Sequence, residues 1–152
     1  MFTLLRPLAA LGMAVLGYLA ATAYRLIDDR IADAAPFEFW LAIIAAVVGW
    51  WFLGGRIGRV WWYSIYVALQ AVVLAAVAAS ALFGVQRVFV LGYARRFREP
   101  MEALEGYFDI VGTYLLQTLE RDFLMLMGAG AVVLGLALHI LHRLMEARRL
   151  HR

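Results

Sequence analysis

Few side chains in this sequence are equipped for chemistry, and they fall into three sets. Glu102, Glu105 and Asp109 stand at spacings of three and four, which lays three carboxylates along one helix face where they could meet a hard cation. An oxygen-ligand site also needs donors converging from elsewhere, so the stripe is read as a solvated face paired with Arg95, Arg96 or Arg98. His139 and His142 lie close together near the end of the last apolar run, with Arg143 and Glu146 following, and two imidazoles are in principle a haem or metal pair. Axial ligation needs histidines facing each other across helices, and the remaining histidine is His151 in the tail, so interfacial hydrogen bonding is the reading carried forward. Gln70 is the one strongly polar side chain deep in an apolar run. It is expected to hydrogen-bond a neighbouring helix, because a transport path needs several polar groups at one depth.

Other chemistries are excluded or unsupported. The chain has no cysteine, which removes disulfides, thiolate metal sites and thiol redox steps of its own. Gly128-Ala129-Gly130 is no nucleotide fingerprint, since it is embedded in an apolar run with no strand before it. No catalytic residue, cofactor-binding residue or metal ligand is assigned.

The elements that would position these residues follow from composition. Hydrophobic residues make up 65% of the 152, charged residues 16%, and mean hydropathy is +0.80. Too few charges are present to cover a soluble core of this size, so lipid must supply the missing solvent. All 14 basic residues are arginine, against 11 acidic ones, for a net charge of +3. The arginines flank apolar runs, as in a protein oriented by a bilayer, and leave no separate basic face for nucleic acid.

A membrane span takes about 20 apolar residues. Four runs meet or approach that length: 7–24, bracketed by Arg6 and Arg25; 37–53, with Phe37, Phe39 and Trp40 at one end and Trp50, Trp51 and Phe52 at the other; 60–85, opening on Trp61, Trp62 and Tyr63; and 123–145. Aromatic belts at run ends are what a membrane interface selects. Only Gly54 to Arg59 separates the second run from the third, which makes those two an antiparallel hairpin with their tryptophans at one interface. The first run resembles the core of a signal peptide with Ala21-Thr22-Ala23 as a small-residue site, but its length favours a retained helix.

Between the third and fourth runs, Met101, Leu104, Phe108, Val111, Leu115 and Leu119 recur at helical spacing after Pro100. They predict an amphipathic helix over about 101–122, lying on the membrane surface or folded back on the bundle. Small residues repeat every fourth position, as in Ala71, Ala75 and Ala79, in Ala76, Ser80 and Gly84, in Ala45 and Gly49, and in Ala131 and Gly135, which predicts close helix contacts. The fold expected is all-α: one transmembrane domain over 1–152, a four-helix bundle with an additional amphipathic interfacial helix.

Arginine counts near the run ends tie between the two sides. The short loop (Arg56, Arg59) and the tail (Arg143, Arg148, Arg149) weigh more than the long connection holding Arg95, Arg96 and Arg98, which puts both termini in the cytoplasm.

Two segments resemble the TrgA family of bacterial membrane proteins, associated with tellurite resistance. One is Gly49-Trp50 followed by Gly54-Gly55-Arg56-Ile57-Gly58-Arg59; the other is Pro100-Met101-Glu102-Ala103, continuing through Tyr107-Phe108-Asp109 to Tyr114. The chain departs from the family pattern at Phe97, Arg98 and Glu99, where a tyrosine, an aspartate and a glycine are expected. The resemblance implies a multi-pass protein of the bacterial inner membrane with a phenotype and no reaction of its own. The expected partners are membrane lipids and other membrane proteins, or a further copy of the chain, with Arg56, Arg59, Glu102, Leu104, Glu105, Phe108 and Asp109 as the candidate interaction surface. The competing readings are an accessory subunit of a larger respiratory or photosynthetic complex and a small oligomeric transporter or channel.

Overall fold

A computed structural model of the chain describes residues 4–27, 36–57, 60–93 and 100–150. It is all-helical, with α1 (Leu5–Arg25), α2 (Phe37–Val48), a π-helical turn (Gly49–Leu53) that ends α2, α3 (Trp61–Tyr93), α4 (Pro100–Gln117) and α5 (Arg121–Leu150). Among the described residues, three segments are long and apolar enough to cross a membrane: Leu5–Arg25, Trp61–Tyr93 and Arg121–Glu146. The run expected over 37–53 forms the shorter apolar helix Phe37–Leu53.

Two boundaries differ from expectation. The third helix does not stop at 85 but continues to Tyr93, since Val85 to Tyr93 contains no proline and its one interior glycine is tolerated in a helix. The helix expected over 101–122 ends at Gln117. A tight turn follows, in which the Leu119 and Glu120 N–H groups return to the Leu116 and Gln117 carbonyls, and α5 begins at Arg121.

Helices α1 and α2 form the most intimate pair and run antiparallel. The Tyr24 and Phe37 ring centroids lie 6.1 Å apart at one end, Gly17 faces Ala45 midway, Gly49 faces Ala9 and Met13, and Gly54 rests on Arg6 at the other end. A methyl group on Gly49 would stand 2.7 Å from the Ala9 carbonyl oxygen and 2.8 Å from Met13 Cβ, so the two backbones approach as closely as glycine allows. The π turn extends this contact. Residues five apart lie far round an α-helix from each other, but the wider turn, closed by the Gly54 N–H to the Gly49 carbonyl at 2.8 Å, brings Gly54 back onto the face of Gly49.

The remaining helices key onto this pair. Leu16 of α1 fills the notch at Gly130 of α5, and Leu134 of α5 fills the notch at Gly12 of α1, so α1 and α5 are antiparallel too. Gly135 of α5 meets the backbone of α3, where an added Cβ would lie 2.9 Å from Ile65 Cα and 3.0 Å from the Ser64 carbonyl oxygen. Phe37 of α2 packs against Phe83 of α3 with centroids 4.8 Å apart. Helix α4 lies along the projecting half of α3, where Tyr107 and Val111 close over Gly84. Of the small residues singled out by spacing, Ala45, Gly49, Ala71, Ala79, Ser80, Gly84, Ala131 and Gly135 are buried, and Ala75 and Ala76 are partly buried. The interior has a small-residue half around Ala9, Ala45, Ala68, Ala71 and Ala131 and an aromatic end around Tyr24, Phe37 and Phe123. Buried Ala9, Met13, Ala20 and Tyr24 make the first helix part of the interior.

Because helices in lipid gain little from hydrophobic burial against one another, contact distance governs their association. Gly49→Ala should therefore lower stability in detergent by about 1–3 kcal/mol, the scale of overpacking. Gly128→Ala, whose added Cβ meets nothing within 4 Å, should leave it unchanged or slightly raised through helix propensity. Denaturation curves followed by circular dichroism compare the two, and an equal loss for both would show that the α1–α2 approach does not limit stability.

Candidate functional site

Polar and aromatic side chains from all five helices gather at the end of the structure where α1 stops and α5 starts. Tyr24 stacks edge-on against Phe123, centroids 6.0 Å apart, and tilts against Phe37. Its hydroxyl donates to Oε1 of Gln117, the last residue of α4, which ties that helix to α1 across the chain. The Tyr107 hydroxyl donates to the Ala81 carbonyl at 3.4 Å and holds α4 to α3. At the same end, Arg25 pairs with Glu38 at 2.7 Å and closes the α1–α2 pair; the Glu38 side chain is the more buried partner.

Below this aromatic cap is a cavity of about 90 Å³. Met13 and Gly17 of α1, Leu41 of α2, Val72 and Ala76 of α3 and Met127 of α5 line it, and Tyr24, Ser80, Tyr114 and Thr118 stand at its margin. The lining is almost wholly apolar. The marginal hydroxyls are engaged elsewhere: Ser80 with the Ala76 carbonyl at 2.8 Å, Thr118 with the Leu115 carbonyl at 2.7 Å, Tyr24 with Gln117. Such a space offers dispersion contacts to an apolar group.

The residues anticipated from sequence are not brought together. Arg56 is exposed beyond the π turn with its guanidinium 4.1 Å above the Phe52 ring, at the Gly54–Arg6 end of the helices. Glu102, Leu104, Glu105, Phe108 and Asp109 lie on α4, whose Tyr107 reaches Ala81 and whose Gln117 reaches Tyr24, at the opposite end. Arg56 therefore does not share a surface with the five residues of α4. Arg59 lies outside the described residues, as do Arg95, Arg96 and Arg98, the expected partners of the acidic face. Glu102, Glu105 and Asp109 are exposed, and among the described residues no group of three or more His, Asp or Glu side chains is arranged to hold a metal ion.

The apolar stripe of α4 divides. Val111 and Leu115 are partly buried, whereas Met101, Leu104, Phe108 and Leu119 are exposed, Phe108 by 65%. The inward row is Tyr107, Val111, Tyr114 and, just past the end of α4, Thr118: the first two close over the Gly84 notch of α3 and the last two line the cavity. That row has its own helical spacing of four, three and four, which is the signal by which the sequence could have revealed it.

The histidines and the amide separate in the same way. His139 is buried at 7% exposure, while His142 sits 3.9 Å from Glu146 one turn on, and both belong to a single helix. His151 lies outside the described residues. Gln70, expected to reach a neighbouring helix, is exposed on the outer face of α3. The interior side of α3 at that level is taken by Val67, Ala68 and Ala71, and Gln70 stands round the helix from them.

No protein-family model, curated protein or solved structure matches this chain.

The Tyr24–Gln117 bond is the link between α1 and the end of α4. Tyr24→Phe keeps the ring contacts with Phe37 and Phe123 and removes the hydroxyl that bonds Gln117, at a cost on the order of 1 kcal/mol. Amide hydrogen exchange should quicken in the last turns of α4 and stay unchanged in α1 and α2. Unchanged exchange in α4 would mean that its contacts with α3 hold it without the Gln117 bond.

Proposed function

We propose that this chain is a non-enzymatic protein of the bacterial inner membrane, crossing it four times through α1, α2 with its π turn, α3 and α5, and acting through α4 on other membrane proteins or lipids. The observation that supports this reading is the division of α4 into three faces. Tyr107 and Val111 hold it to α3 and Tyr114 faces the interior, Met101, Leu104 and Phe108 point away, with Leu119 exposed in the turn just past its end, and Glu102, Glu105 and Asp109 border that outward row. A helix anchored on one side and apolar on a second has surface left over for a partner. A carboxylate border beside the apolar row suits a helix at the level where lipid meets water. The likeness of Pro100–Ala103 and Tyr107–Asp109 to the TrgA pattern falls on this element, and tellurite resistance is accordingly the phenotype to measure.

The short loop after the π turn, with Arg56 and Arg59, and the arginines of the tail support a topology with both termini in the cytoplasm and α4 on the periplasmic side. Because the chain lacks cysteine, Ile57→Cys and Leu104→Cys each introduce a single thiol. In intact cells a membrane-impermeant thiol reagent should label the second variant and spare the first; the reverse pattern would invert the topology.

The function itself is tested on the outward row. Leu104→Ser with Phe108→Ser should leave the protein in the membrane at near wild-type yield and abolish its partner association or resistance phenotype. Replacing Glu102, Glu105 and Asp109 together by lysine should have little effect if that face is solvated, and should remove activity altogether if it holds a cation. Retention of partner, lipid association and phenotype by both variants would reduce α4 to a connector.

A further inference from the structure

Gln70 sits where an unpartnered amide is most costly. It comes nine residues after Trp61, about 13 Å along the axis at ~1.5 Å per residue, within a hydrocarbon layer about 30 Å thick. The helix contacts give the same depth: Ile65 of α3 lies against Gly135, and Gly130, a little over one turn back along α5, lies against Leu16, midway along α1. Gln70 is exposed, and no hydrogen-bond partner for its side chain is present among the described residues. A primary amide carries two N–H donors and a carbonyl acceptor, and lipid tails satisfy none of them.

The surroundings indicate what does. Tyr63, Tyr66, Gln70, Val73 and Val77 follow one another at spacings of three and four, and all five are exposed, Val73 by 63%. This is the spacing of a helix–helix seam. Further along the same side of α3 the line reaches Gly84, where α4 covers it; below that point none of the described residues does. No charged residue occurs between Trp61 and Gln86, so the seam can face an identical seam without repulsion. In a two-fold pairing each residue near the axis meets its own counterpart, and the amide is the polar side chain that complements itself, donating with its NH₂ and accepting with its carbonyl.

We propose that two copies of this chain associate in the membrane through the outer face of α3, with Gln70 of each copy hydrogen-bonded to Gln70 of the other. The proposal rests on the membrane reading above and specifies the partner for a surface distinct from α4.

The test uses the full chain in native membranes and, after purification, in phosphatidylcholine–phosphatidylglycerol vesicles. Val73→Cys places a single thiol on the seam, and Val133→Cys, equally exposed on α5, places one off it. Oxidation should yield a covalent dimer from the first and little from the second. In vesicles, energy transfer between labelled copies should report a dimer that Gln70→Leu weakens by roughly five- to thirtyfold, the range for an interhelical polar contact, and that Gln70→Asn largely retains. Equal crosslinking at both positions, or unaltered association of Gln70→Leu, overturns the proposal. So does crosslinking of Val73→Cys to a different protein in native membranes while the purified chain stays monomeric, which would assign the seam to a foreign helix. Carbonate extraction separates the two levels: protein released into the soluble fraction overturns the membrane reading itself, whereas retained but monomeric protein overturns only the pairing.

Discussion

The close approach of α1 and α2 is the contact from which the rest of the structure is set. Gly49 lies against the Ala9 carbonyl and Gly17 against Ala45, so two helix backbones meet with almost no side chain between them. In an apolar solvent that proximity matters more than burial, because lipid competes for every methyl group but cannot reproduce packing at backbone distance. The pair fixes two further features. It sets Tyr24 beside Phe37 at one end, forming the platform on which Phe83 and Phe123 pack. It also presents Gly12 and Leu16 on a second face of α1, where Gly130 and Leu134 of α5 interlock with them.

From that framework the division between interior and exterior is unusual for its chemistry. Among the described residues the interior holds hydroxyls bonded to helix carbonyls, a buried histidine and an apolar cavity, a set suited to fixing helices in place. The groups with unused binding capacity lie outside: the outward row of α4 with its carboxylate border, and the seam of α3 with its amide. They are separated along α3 by the Gly84 contact, so α4 can engage one partner while the lower half of α3 engages another.

Helix α4 is held in place by a few specific contacts. Tyr107 to Ala81, the Gly84 notch and Tyr24 to Gln117 are its ties, and the turn after Gln117 joins it to α5. A partner that bound its outward row would draw on those ties, and a change in the row would be felt at the aromatic cap through Gln117.

Read alone, the sequence determined the all-helical class, where each apolar run begins, the break between the second and third runs and most of the small residues at which helices meet. Each of these follows from local properties: run length, glycine and arginine at a turn, and side-chain size at four-residue spacing. It did not determine which way a helix faces. For a soluble protein the apolar side of a helix names its buried side, but here apolar residues occur all round, and Leu104 and Phe108 satisfied the periodicity as well as Tyr107 and Val111 did. Only the tertiary structure chose between them, through the notch at Gly84, and only it turned Gln70 outward, because Val67, Ala68 and Ala71 occupy the inner face of α3 at that level. The Tyr24–Gln117 bond lay beyond the sequence for the same reason: its partners are far apart in the chain, and no local pattern pairs a tyrosine at the end of one helix with a glutamine at the end of another.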